Sequence, residues 1–144
     1  MNYDKLINGT LADMKPSGIR KFFDIANTME DVISLGVGEP DFRTPRQIRS
    51  AGIRSLERGS TRYTSNKGLS ELRCEIAKYN ERKYGISYNP ESEVLVTVGG
   101  SEAIDMALRA LINPGDEVII PEPSYVSYAP CVTFAGGIAV PVKT

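Results

Sequence analysis

The chain has 144 residues, of which 41% are hydrophobic, 24% charged and 8% aromatic, an ordinary soluble composition within a single-domain length. Seventeen basic against eighteen acidic residues leave a net charge of −1, so no basic field marks a nucleic-acid or anionic-membrane partner. With no histidine, the chain cannot by itself complete a Ser-His-Asp triad, a Cys-His pair or a histidine metal site.

Cys74 and Cys131 stand far apart without C-x-x-C spacing, which argues against a metal knuckle or a redox dithiol. Two thiols in a reducing cytoplasm are the simpler reading, and no metal site is expected. Met1-Asn2-Tyr3-Asp4-Lys5 lacks the basic and apolar pattern of a secretory signal. No stretch reaches the roughly 18 apolar residues of a membrane span. The expectation is a soluble, cytoplasmic protein.

The first forty residues read as irregular. Lys15-Pro16-Ser17-Gly18 is turn chemistry, and Ile19 to Met29 has the apolar side of a helix. Gly36-Val37-Gly38-Glu39-Pro40-Asp41-Phe42 is a tight loop where backbone can approach something closely. Thr44-Pro45 opens a helix with a cap residue and a first-turn proline, and Gly59 closes it. A polar loop, Ser60 to Lys67, carries Tyr63. Gly68 leads into a second amphipathic helix with Leu69, Leu72, Ile76 and Tyr79 at helical spacing, ending near Tyr84-Gly85.

Val94-Leu95-Val96-Thr97-Val98 is a continuous run dominated by β-branched residues, as expected of a strand covered on both faces. After Gly99-Gly100-Ser101, Glu102 to Ile112 predicts a helix apolar on most sides. Asn113-Pro114-Gly115-Asp116 turns into a strand over 117–120. Pro121-Glu122-Pro123-Ser124-Tyr125 leads to a helix from about Val126 to Phe134. Gly136-Gly137 breaks it before a strand from Ile138 to Val142. Strand, helix, strand, helix, strand at this spacing predicts an α/β fold with a mainly parallel sheet. Three buried-type strands with two helices leave sheet edges and faces uncovered, so the chain reads as the opening part of something longer, or part of an assembly.

The sharpest local signal is Val98-Gly99-Gly100-Ser101-Glu102, between strand and helix. Glycines there let backbone approach a ligand, and the first helical N–H groups point outward with the positive end of the dipole. Ser101 can cap the helix or offer its hydroxyl. Together they can cradle a phosphate at the carboxyl end of a strand. A tight turn with a serine cap and no ligand is equally compatible with this segment alone. It is neither G-x-G-x-x-G nor a P-loop. Gly99-Gly100-Ser101-Glu102-Ala103 is one residue short of the nucleophile elbow G-x-S-x-G, and the histidine base is missing. Tyr125, after a rigid loop, can stack on a planar cofactor or simply pack in the core. Tyr63 can offer its phenol to a phosphate or lie free on the surface.

Three segments together resemble class I aminotransferases, the fold type I enzymes dependent on pyridoxal phosphate. They are Ser34-Leu35-Gly36-Val37-Gly38-Glu39-Pro40-Asp41-Phe42-x-Thr44-Pro45, then Tyr63-x-x-x-x-Gly68-x-x-x-Leu72-Arg73, then Val96-Thr97-Val98-Gly99-Gly100-Ser101-Glu102-Ala103. Pro114-Gly115-Asp116-Glu117-Val118 and Pro123-Ser124-Tyr125 extend the likeness, which runs from about Lys15 to Val142.

The resemblance implies that residues 1–43 are an N-terminal arm and small-domain segment, and that 44–144 open the large, mainly parallel-sheet cofactor domain. It implies pyridoxal 5'-phosphate as cofactor. Gly100, Ser101 and Glu102 would hold its phosphate by backbone N–H groups, with Ser101 adding its hydroxyl, and Tyr125 would stack on its ring. Gly38 would meet the substrate carboxylate, and Tyr63 would reach the phosphate bound in the neighbouring subunit of a homodimer with shared sites. Amino-acid and 2-oxo-acid substrates follow. The family's Asn-Pro segment, ring-nitrogen aspartate, Schiff-base lysine and late arginine have no matching positions here. None of the seven lysines (Lys5, Lys15, Lys21, Lys67, Lys78, Lys83, Lys143) sits in a Ser-x-Ser-Lys context. No catalytic residue is therefore assigned, and the expectation is an N-terminal fragment of an aminotransferase, inactive alone. Two alternatives share the scaffold: a lyase such as a carbon–sulfur lyase, and a non-catalytic cofactor-binding or dimerising module.

Overall fold

Helix-forming sequence bracketed by turn residues supplies most of the architecture, and a computed structural model describes it over residues 6–14, 18–33, 35, 38 and 40–144. Of the motif residues named above, Ser34, Gly36, Val37 and Glu39 lie outside the described residues, as do Lys15, Pro16 and Ser17 of the expected turn. The chain divides into two compact units, Pro16–Tyr63 and the remainder, Met1–Lys15 with Thr64–Thr144.

Within the 16–63 unit, α2 spans Ile19–Asn27 and α3 spans Arg46–Glu57. The helix starting at Thr44-Pro45 begins one residue later than expected: Pro45 occupies the cap position, with no side-chain cap bond, and its carbonyl accepts from the amides of Ile48 and Arg49 at 3.1 Å. A proline tolerates that place because the first helical amides need no intrahelical acceptor.

The other unit contains α1 (Gly9–Ala12), α4 (Ser70–Tyr84), α5 (Gly100–Leu111), β1 (Glu117–Glu122), α6 (Tyr128–Phe134) and β2 (Ile138–Lys143). The short α1, in a stretch expected to be irregular, is started by Asn8, whose side chain accepts from the Thr10 amide at 2.9 Å. β1 and β2 pair in parallel, Glu117 opposite Ile138 through Glu122 opposite Lys143, with α6 as the crossover between them. Val132 of α6, 1% exposed, and Ile120 of β1, 6% exposed, are buried apolar side chains of this βαβ unit. Gly137 permits the close packing at the start of β2. A Cβ there would stand 3.0 Å from both Ile112 Cγ2 and Val132 Cγ1. The fold is α/β with a small parallel sheet, as the alternation of elements predicted.

Residues 94–98 depart from expectation: they form no ladder among the described residues. β-branched sequence favours an extended conformation, but a strand exists only as one member of a pair, and β1 is bonded to β2. The Val96 amide instead donates to the Lys67 carbonyl at 3.0 Å. No described helix is long and apolar enough to cross a membrane.

Candidate cofactor-phosphate site

The geometry of the turn before α5 begins with Gly99, at φ 82° and ψ 170°, a conformation essentially closed to residues with a Cβ. It redirects the chain from the 94–98 stretch into the helix. As the cap residue Gly99 has no side chain to offer, so the helix start is left without a side-chain cap. Among the described residues, no protein group accepts from the amides of Gly100, Ser101 and Glu102. They are the orphan donors of a helix start, at the positive end of the α5 dipole. A Cβ at Gly99 or Gly100 would meet nothing within 4 Å, so the space beside the turn is open.

Two side chains of the turn are spent on shaping it. The Glu102 carboxylate accepts from the Val98 amide, and the Thr97 hydroxyl donates to the Gly99 carbonyl at 2.9 Å. The Glu102 carboxylate therefore bonds back toward the preceding chain, in the manner of the third-position glutamate of a capping box. That position after the turn is the sequence signal for this role, which backbone reasoning about Glu102 alone misses.

Tyr125 reaches the same turn from the loop after β1. Its hydroxyl oxygen lies 3.3 Å from Ser101 Oγ, and its ring meets Tyr128 edge-on, with centroids 5.6 Å apart. The Ser101 hydroxyl, followed by that of Ser127, holds the Tyr125 phenol below its ordinary value by stabilising the phenolate. The half-exposed ring of Tyr125 also lines an open depression of about 580 Å³ together with Ile120, Pro123, Val126 and Lys143. Gly100, Ser101, Glu102 and Tyr125 thus gather in one unit. Gly38 and Tyr63 belong to the 16–63 unit, where Gly38 has open space around its Cβ position and Tyr63 is fully exposed.

Three amides without a protein acceptor among the described residues, beside the hydroxyls of Ser101 and Tyr125 and a half-exposed aromatic ring, make a set of donors chemically suited to an anionic group. No described cluster of cysteine, aspartate and glutamate side chains has the arrangement of a metal site.

Comparison with known proteins bears on what this turn belongs to. The family profile described as aminotransferase class I and II matches residues 30–144. The chain is similar to YugH of Bacillus subtilis (strain 168), 60% identical over 131 residues, covering 91% of this chain and 34% of that protein. It is 49% identical over 131 residues to an aspartate aminotransferase of Pyrococcus abyssi, again covering 91% of this chain and 34% of the relative. The crystal structure of an aspartate aminotransferase from Thermotoga maritima superposes with a TM-score of 0.88 at 37% identity, over 96% of this chain and 38% of that one. The chain therefore spans about a third of the length of the curated relatives it matches.

Proposed function

This chain belongs to the aminotransferase class I and II family, and we propose that it forms the opening part of a pyridoxal-phosphate-dependent enzyme that transfers an amino group between an L-amino acid and a 2-oxo acid. The observation that carries this reading is the row of unpaired amides at Gly100, Ser101 and Glu102 beside the hydroxyls of Ser101 and Tyr125. In this reading residues 1–43 are the arm and small-domain segment, and 44–144 the first part of the cofactor domain.

The three amides and the Ser101 hydroxyl bind the cofactor's phosphate. Their dipoles are fixed by the helix and need no reorganisation, so they also orient whatever the phosphate carries. Tyr125 lays its ring against the cofactor and limits its rotation. Gly38 presents its amide to the substrate carboxylate without a side chain in the way. Tyr63, wholly exposed here, serves the phosphate of a second subunit in a cytoplasmic homodimer with shared sites. When bound, the cofactor would supply the electron sink that proton removal at the amino acid's Cα requires. The proton moved in that step needs a base, and none of the seven lysines in this chain matches the family's lysine.

Borohydride reduction of the full natural protein with pyridoxal 5'-phosphate, followed by mapping of the labelled lysine, tests this. A single labelled lysine outside the seven of this chain is the expected result. Specific labelling at Lys67, or at any other of the seven, overturns the assignment.

A further inference from the structure

The amides of the cradle sit at the end of a stretch, 94–98, that has no ladder partner among the described residues. Contacts from the loop before α4 converge on this stretch. The Val96 amide donates to the Lys67 carbonyl at 3.0 Å. Gly68, at φ +92°, lies so close to Val96 that a Cβ on it would stand 2.6 Å from Val96 Cβ and 2.8 Å from Cγ2.

The same turn is tied to the loop that feeds residues 94–98. Arg73 on α4 is only 4% exposed. Its Nη1 donates to the Pro90 carbonyl at 2.5 Å, and its Nη2 to the Glu91 carboxylate at 3.2 Å. Lys67 Nζ donates to the Glu91 carbonyl at 2.8 Å, and Ser70 Oγ contacts the Glu91 carboxylate at 3.2 Å. A buried guanidinium with a fixed fork is a stiff connector, because its donors are planar and a broken pair leaves a buried charge uncompensated.

We infer that Arg73 and Glu91 are positioning residues that clamp the 94–98 stretch against the Lys67-Gly68 turn and so fix the phosphate-binding amides of Gly100 to Glu102. The inference rests on the phosphate-cradle reading above. Neither side chain touches the ligand. Their effect reaches it through Lys67, Val96 and the Val98–Glu102 contact.

The discriminating measurement is the affinity of the full natural protein for pyridoxal 5'-phosphate against pyridoxal, which lacks the phosphate. Glu91→Ala and Arg73→Lys should each weaken the phosphate ester about tenfold, the scale of one charge-assisted hydrogen bond. Pyridoxal should change by less than about twofold, since a displaced cradle touches only the phosphate. General loosening of the fold would weaken both ligands alike, and that result, or no change in either, overturns the clamp. If Arg73→Lys fails to fold, Glu91→Ala still decides, because the Glu91 side chain is 65% exposed and leaves little void. Gly100→Asp separates the two levels of the argument, since it places a carboxylate in open space at the cradle itself. Unchanged phosphate-ester affinity in Gly100→Asp overturns the cradle and the clamp with it. Lost affinity there with intact affinity in both clamp variants overturns the clamp alone.

Discussion

Ser101 and Tyr125 face each other with hydroxyl oxygens 3.3 Å apart, and the consequence for acid–base behaviour can be followed in sign. The Ser101 hydroxyl stabilises the phenolate, so Tyr125 ionises below the ordinary phenol value, with Ser127 adding to the effect. A depressed folded-state value contributes stability only above the unfolded value near 10, and that contribution is lost as pH falls through the folded one. At neutral pH the contact therefore adds nothing to stability through this route. Ultraviolet titration of the tyrosines should show Tyr125 ionising early, and Ser101→Ala should move it back up. The same substitution removes one donor from a bound anion. It should weaken pyridoxal 5'-phosphate about tenfold at neutral pH, read by equilibrium dialysis on the full natural protein. Ser101 and Tyr125 were legible in the sequence because each sits in a local signal, a glycine turn before a helix and a proline-stiffened loop after a strand. Arg73 and Glu91 were not. They lie 18 residues apart, and only the path of the chain between them brings a guanidinium to a loop carbonyl.

At the scale of elements, α4 and the 89–93 loop behave as one unit joined by Arg73. The Arg73 hydrogen bond, then its charge, lowers the Glu91 carboxyl below its ordinary 4.5. Because that folded value is depressed, the pair supports the fold above the unfolded value and loses its effect as pH falls through the folded one. Denaturant unfolding followed from about pH 6 down to about pH 3 should show stability falling on the acid side of 4.5, with Glu91→Gln flattening part of that fall. Gly68 makes the opposing contact. Gly68→Ala imposes an unfavourable φ, about 1–2 kcal/mol, and a clash with Val96 costing about 1–3 kcal/mol more, so urea unfolding should place it several kcal/mol below the parent. The helices were readable to within a few residues because caps, glycines and the 3.6-residue period are local. β1 and β2 were readable for a similar reason, since the crossover that pairs them is only a short helix away. Residues 94–98 looked equally strand-like, yet sequence pattern reports side-chain preference and not the presence of a neighbour to bond.

For the molecule as a whole, the exposed apolar side chains state what the chain does not cover for itself. Val98 is 91% exposed, Leu111 79% and Ile119 70%, all in or beside the elements that carry the cradle. Singly such residues are ordinary, but surfaces of this kind on neighbouring elements normally meet more protein. The chain spans about a third of its relatives' length, which fits the same picture. In the proposed reading the cradle supplies orientation and charge, while the proton transfer requires a lysine that this sequence does not contain in the family's context. These two contributions can be separated experimentally. The purified 144-residue chain should bind pyridoxal 5'-phosphate weakly and reversibly, with no stable absorbance shift from a covalent adduct, and should show no amino-group transfer with any amino acid and 2-oxo-acid pair. It should also self-associate in a concentration-dependent way by sedimentation, because the cheapest cover for exposed apolar surface is another copy of itself. Measurable turnover by this chain would mean that one of its own seven lysines acts as the base, and the division of labour proposed here, with phosphate binding in this segment and proton transfer outside it, would then be wrong.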